Sequence, residues 1–343
     1  MRRVPPARGR RRGVDRRPRS ATPGRCPLTF KETEVLNHRL AVRNYLGGPA
    51  LAPADLTMVL LMREDADDSP HPMPTFVVSE IAGIVAALDD VGVRSVKIFA
   101  GSRMRDARAS QSASPTGLMA RSIRAAKKAR PDMAVMTETC VCPHNDSGEC
   151  WLADTQGRMD LSETMEVLAD QAVVQAEAGA DIVGPAAMIP GSIRAVREAL
   201  NAGGFADVAI MPHLIFESSL YEGYRATMGA VPRSGTRAFQ ISPRRPEQAV
   251  HAARRMVDEG ADMILTEPAL HTVDTLLHLK DKVPVPVVPF SVSGEYLRLT
   301  DPAPDGGREV KGLMEAYTVL KRSGADRIIT YGALDIARVL KAS

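Results

Sequence analysis

Three of the chain's four cysteines fall within one short stretch, Glu138-Thr139-Cys140-Val141-Cys142-Pro143-His144-Asn145-Asp146-Ser147-Gly148-Glu149-Cys150. Alternate residues of an extended chain share a face, so Cys140 and Cys142 can present both thiolates to one ion. Pro143, Asn145, Asp146 and Gly148 are turn formers, and a turn through them can return Cys150 to the same point. Three thiolates without a fourth describe a zinc (Zn2+) site with an open coordination position, where a water or ligand can bind. A closed structural site would recruit His144 or Asp146 as well. The competing reading is three structural cysteines, because a Cys-x-Cys pair alone is weakly diagnostic. Cys26 stands alone and has no partner in sequence.

Such a cluster needs a frame to hold it. Short β-rich runs alternate with longer helical patterns, the signature of βα units around a parallel sheet. Eight strands are expected, at Leu56–Met62, Ser95–Ala100, Met133–Val141, Asp181–Pro185, Val208–His213, Met263–Pro268, Val285–Ser293 and Arg327–Tyr331. Apolar residues at three- and four-residue spacing predict helices over Ser162–Ala178, Ser192–Asn201, Pro246–Glu259 and Val310–Ser323. Gly-Ala-Asp recurs at Gly179, Gly260 and Gly324, each time between a helix and a strand. Glycine there supplies a left-handed helix cap and the aspartate starts the turn into the wall. Eight such units, with no phosphate-binding glycine fingerprint after the first strand, predict an α/β fold of the closed (β/α)8 TIM-barrel type. Chemistry in a barrel sits at the C-terminal strand ends, which selects Cys140, Pro185, His213, Glu267, Ser293 and Tyr331.

Residues 30–343 are expected to form that single barrel domain, and residues 1–29 a basic arm. Nine of the first 19 residues are arginine, interleaved with proline and glycine, although the net charge is only +3. Such a block cannot bury apolar surface, so it stays disordered or wraps a partner subunit. Without stacking aromatics it makes no case for specific nucleic-acid recognition. Apolar runs such as Met58 to Met62 are too short to span a bilayer, no secretory segment is evident, and the cysteine usage is not that of a disulfide framework. These features predict a cytoplasmic, non-membrane protein.

Several segments, in order, carry a resemblance to the porphobilinogen synthase (5-aminolevulinate dehydratase) family over about Phe30 to Leu340. They are the Cys140-x-Cys142-Pro143, Gly148, Cys150 block; Ala178-Gly179-Ala180-Asp181-Ile182-Val183 with Met188 and Gly191; Glu259-Gly260-Ala261-Asp262-Met263; Val292-Ser293-Gly294-Glu295-Tyr296; and Gly324-Ala325-Asp326-Arg327-Ile328-Ile329-Thr330-Tyr331. The resemblance implies condensation of two 5-aminolevulinate molecules into a pyrrole, each substrate ketone held as an imine on its own lysine, where the iminium acts as an electron sink.

This chain departs from that pattern. The family's Ser-Ala-Lys-x-Ala-Ser segment reads Leu214-Ile215-Phe216-Glu217-Ser218-Ser219, placing Phe216 at the first lysine, and Val-Lys-Pro reads Thr266-Glu267-Pro268, placing Glu267 at the second. Neither side chain can form an imine. The Ser-Asp-Met-Met-Asp-Gly-Arg loop becomes Ala186-Ala187-Met188-Ile189-Pro190-Gly191-Ser192, without its carboxylates and arginine. Ser293 and Tyr331 match the residues that the resemblance assigns to one substrate carboxylate, and Arg225, Arg237 and Gln240 those around the other; charge-assisted donors of this kind suit carboxylates. Lys97 stands in a predicted strand where the family has an apolar residue. It is either a replacement amine facing the interior or a lysine that snorkels to the rim or pairs with Glu267.

The expected function is a zinc-dependent lyase or condensing enzyme acting on a carboxylate-bearing amino or keto acid, with Glu267 as general acid or base and Lys97 as the other catalytic candidate. The alternatives are a non-catalytic binding or regulatory protein, and ordinary porphobilinogen synthesis in tetrapyrrole formation by an unusual route. The resemblance also implies a homo-oligomer built from dimers.

Overall fold

The computed structural model describes residues 50–65, 69–304 and 307–342. The expected arm over residues 1–29, Cys26 and the expected domain start at residue 30 lie outside the described residues. The elements run β1 (Leu56–Met62), α1 (Ile81–Asp90), β2 (Ser95–Ala100), α2 (Leu118–Ala129), β3 (Ala134–Thr137), α3 (Leu161–Glu177), β4 (Ile182–Val183), α4 (Ser192–Ala202), β5 in two pieces (Ala209–Ile210 and His213–Ile215), α5 (Glu222–Met228), α6 (Glu247–Asp258), β6 (Ile264–Glu267), α7 (Val273–Lys280), β7 (Val287–Pro289), α8 (Ser293–Leu299), α9 (Lys311–Arg322), β8 (Ile328–Thr330) and α10 (Ala333–Ala342).

The eight strands form a parallel ring. One side runs β8-β1-β2-β3-β4 to the first piece of β5, and the other runs β7-β6 to its second piece. Across the gap in β5, Met211 N–H donates to Val183 O at 2.9 Å and the Pro212 carbonyl accepts from Leu265 N–H at 3.0 Å, so both neighbours stay joined. A parallel bridge between Phe290 and Ile329 joins β7 to β8 and closes the ring. Helices cover the outside, which explains why β1, Leu-Thr-Met-Val-Leu-Leu-Met, is apolar at all positions but Thr57 and buried at every one. α4 shows the matching helical logic: Ile193, Val196 and Leu200 recur at three- and four-residue spacing and are its buried apolar residues.

The three Gly-Ala-Asp segments do more than turn the chain. Gly179, Gly260 and Gly324 have φ of 106°, 108° and 101°, the left-handed region that glycine tolerates. Each aspartate that follows reaches across to the preceding strand. Asp181, Asp262 and Asp326 accept from the backbone N–H of Val135, Ile210 and Val287, each at 2.8 Å. Each also holds a cation from the helix ahead of that strand: Lys127 at 3.0 Å, Arg197 at 2.5 Å and Lys280 at 2.7 Å. The stems of these cations lie over the three glycines. β4, β6 and β8 are thus clipped to β3, β5 and β7 at their N-terminal ends. At the remaining junction of this kind, β2 on β1, Ser95 Oγ meets Thr57 Oγ1 at 2.7 Å.

Candidate active site

The opposite, C-terminal ends of the strands surround an open pocket of about 510 Å³. Its apolar wall is an aromatic run. Phe99, where β2 nears its end, stacks on Phe290 after β7 at 5.8 Å, and Phe290 lies 5.9 Å from Tyr331 after β8.

The thiol wall comes from the loop after β3. β3 is regular only to Thr137, but its pairing runs on: Glu138 N–H donates to Ile98 O at 3.1 Å, and Thr139 forms a parallel bridge with Pro185, its N–H donating to Gly184 O at 2.8 Å. Asn145 shapes the loop: its Oδ1 accepts from Gly148 N–H at 2.7 Å and its amide donates to Glu149 O at 2.9 Å. Gly148 has φ of 69°, and a Cβ there would meet Val231 O at 2.2 Å, so only glycine fits. The result brings the three sulfur atoms of Cys140, Cys142 and Cys150 within 4.8 Å of one another. Arg237 reaches in from the segment after α5 and donates to Cys150 Sγ at 2.9 Å and Gly148 O at 2.7 Å, and also to Ala230 O. The thiol of Cys150 is pulled well below its ordinary range, first by hydrogen bonds from Cys140 and Cys142 and also by the Arg237 charge. A convergent thiol triad with its own counter-cation fits a thiophilic metal ion. His144 and Asp146 do not join it. The His144 ring faces Ser102 Oγ at 2.7 Å, and Asp146 lies at the surface, 3.9 Å from Arg233.

The interior face carries charge. Lys97 is wholly buried, so it does not snorkel to the rim, and its ammonium donates to Thr137 O at 2.7 Å inside the barrel. It does not line the pocket. Burial pulls its pKa down to about 8, against the stabilising charges of Glu138 and Glu267. Glu138, which sequence reasoning overlooked, faces the pocket and accepts from Tyr224 Oη at 2.7 Å. It stands two residues before Cys140, on the same face by strand alternation, which is the signal that could have revealed it. Glu267, at the end of β6, is 5% exposed, with its Oε1 2.8 Å from His213 Nδ1. Burial pushes Glu267 up to about 8, opposed by Lys97 and Arg225, and holds His213 well below its usual range, hence neutral.

Between the ordinary value of 4.5 and about 8, folded Glu267 keeps a proton that the unfolded chain has released. The folded state therefore binds more protons, and stability falls as pH rises through this window, by up to about 1.4 kcal/mol per pH unit. Glu267→Gln cannot ionise, so the stability of wild type relative to this variant should decline from pH 4.5 to 8, read from urea midpoints across the range.

Of the residues matched to substrate carboxylates, Arg225, Arg237, Gln240 and Tyr331 line the pocket. Ser293 does not. Its hydroxyl donates to Leu220 O and accepts from Tyr224 N–H, each at 3.0 Å, which fastens the loop after β7 to the one after β5.

The family profile for delta-aminolevulinic acid dehydratase matches residues 32–339. The chain belongs to this family. The Escherichia coli dehydratase is 33% identical over 87% of this chain and 94% of its own length, and that of Halalkalibacterium halodurans 32% identical over 91% and 98%. The solved dehydratase (porphobilinogen synthase) of Toxoplasma gondii, in complex with the reaction product porphobilinogen, superposes with a TM-score of 0.82 at 28% identity, covering 89% of this chain and 90% of that one. The dehydratase family is one of lyases, and its barrel is the fold found here.

The structure corrects one assignment within the dehydratase pattern. Phe216 does not line the pocket; Ile215 does. Side chains alternate along a strand, and the parallel register sets Ile215 directly against Glu267, with His213 two residues earlier on the same face. Phe216 projects elsewhere and offers its carbonyl to Tyr221 Oη at 3.0 Å. Sliding the dehydratase segment by one residue puts its lysine at Ile215 and its last serine on Ser218. The chemical consequence is unchanged, because isoleucine forms no imine either.

Proposed function

We propose that this dehydratase-family chain is a zinc-dependent lyase or condensing enzyme for a carboxylate-bearing amino or keto acid, working without protein-bound imines at positions 215 and 267. One observation carries the reading: Ile215 and Glu267 face each other in a pocket that still holds the thiol triad and the Arg225 cation. Cys140, Cys142 and Cys150 would hold the zinc, which when bound polarises a carbonyl oxygen or acidifies a water. Arg225, with Gln240 beside it, binds and orients the substrate carboxylate. Arg237 is spent on the triad's loop and steadies the thiolates. Lys97 serves as the interior counter-charge to Glu138, and to Glu267 once that group ionises. The acid–base pair at Glu267 favours an enzyme over a binding protein, which has no use for buried proton-transfer groups. Reduced thiols suit the cytoplasm, and family resemblance supports a homo-oligomer built from dimers.

Zinc-loaded protein incubated with 5-aminolevulinate should yield no porphobilinogen, and borohydride should trap no adduct detectable by mass spectrometry of the intact chain. Porphobilinogen formation, with an adduct mapped to Lys97, would overturn the reading and return the chain to the ordinary dehydratase reaction.

A further inference from the structure

Among the described residues that line the pocket, two buried polar atoms have no hydrogen-bond partner: His213 Nε2 and Tyr331 Oη. A buried polar group left unpaired costs about 1–3 kcal/mol, so an orphan pair in one pocket points to a ligand that pairs them. The other nitrogen of the same imidazole is fixed, since Nδ1 lies 2.8 Å from Glu267 Oε1. Above about pH 8, where Glu267 is a carboxylate, Nδ1 carries the proton and the Nε2 lone pair is free. Gly184 makes room for the ring itself: a Cβ there would come within 3.3 Å of His213 Nε2 and 2.8 Å of Lys97 Nζ.

We propose that His213 is the general base of this site and Glu267 its positioning residue, together replacing the chemistry that the absent lysines would supply. The inference rests on the reading of the site as one for a carbonyl-bearing acid. Nε2 removes a proton from the carbon beside the substrate carbonyl; the C–H electron pair becomes a C=C bond, and the carbonyl π pair moves onto oxygen. Tyr331, kept protonated by burial and by the charges of Glu267 and Glu138, donates to an oxygen of the substrate. The imidazolium that forms lies against the Glu267 carboxylate, which stabilises it as the buried aspartate does in serine hydrolases. The same Nε2–H then returns the proton to carbon or to a departing group.

The test uses two independent readings on zinc-loaded protein at mildly alkaline pH. Nitrogen-15 NMR of the imidazole should show His213 with Nδ1 protonated and Nε2 bare. Glu267→Gln should invert this, because its amide donates to Nδ1 and forces the proton onto Nε2. In D2O, 4-oxopentanoate should acquire deuterium at the carbons flanking its ketone. His213→Gln and Glu267→Gln should slow this by about a hundredfold or more while its dissociation constant, by calorimetry, stays within a few-fold. A wild-type ring protonated on Nε2, or undiminished exchange in both variants, overturns the proposal. Failure of 4-oxopentanoate to bind counts against the carboxylate-ligand reading instead, and the tautomer then decides the role of the dyad alone.

Discussion

Cys142→Ala should lose high-affinity zinc, and turnover with it, while the barrel remains folded. Cys142 is buried, with its sulfur 3.3 Å from that of Cys140, so no solvent-facing group can take its place. Two thiolates leave the ion with half of its usual tetrahedral set. The loss in affinity should exceed the 10–100-fold that removal of an outer-shell partner costs. Zinc competition with a chromophoric chelator, beside far-ultraviolet circular dichroism, separates metal loss from misfolding. Full activity in a zinc-free Cys142→Ala protein would remove the metal from the proposed chemistry.

Arg237→Met is expected to damage both the fold and the metal site. The guanidinium holds three acceptors, Gly148 O, Ala230 O and Cys150 Sγ, from a position only 9% exposed. Methionine fills much of the space but donates nothing, leaving two carbonyls unpaired and a thiolate without its cation. Breaking a buried charge pair in this way costs about 3–5 kcal/mol, and zinc affinity should fall by about 10–100-fold. Arg237→Lys should rescue little, since one ammonium cannot reproduce a planar fork to three acceptors. Urea unfolding with and without a chelator reads both effects. A loss below about 0.5 kcal/mol, within the range of ordinary surface changes, would show that the loop stands without its clamp.

The strands and the thiol triad were legible because they rest on local rules: alternation, turn formers, and glycine ahead of a strand. β1 and β2 match their predicted bounds, and Cys140, Cys142 and Cys150 converge as their spacing implies. What the sequence concealed depends on contacts between distant segments. Phe216 and Ile215 are adjacent in the chain, and only the pairing of β5 with β6 decides which of them meets Glu267. Ser293 carries the residue type of a carboxylate ligand, yet its hydroxyl is consumed by Leu220 and Tyr224. His213 stood at a predicted strand end, but nothing near it in sequence announced that Glu267 would fix its ring, 54 positions later. Lys97 could be read either as rim or as interior, and burial among Glu138 and Glu267 settles that it is interior.

The clips made by Asp181, Asp262 and Asp326 lie at the N-terminal rim, the full height of the wall away from the pocket. Each ties one strand to its neighbour by a carboxylate, a backbone amide and a cation, with no contribution from the mouth. The foundation and the workshop of this molecule are therefore on separate floors. Exchanging an amine for isoleucine or glutamate upstairs leaves the masonry below untouched, and a barrel built this way can change trades without being rebuilt.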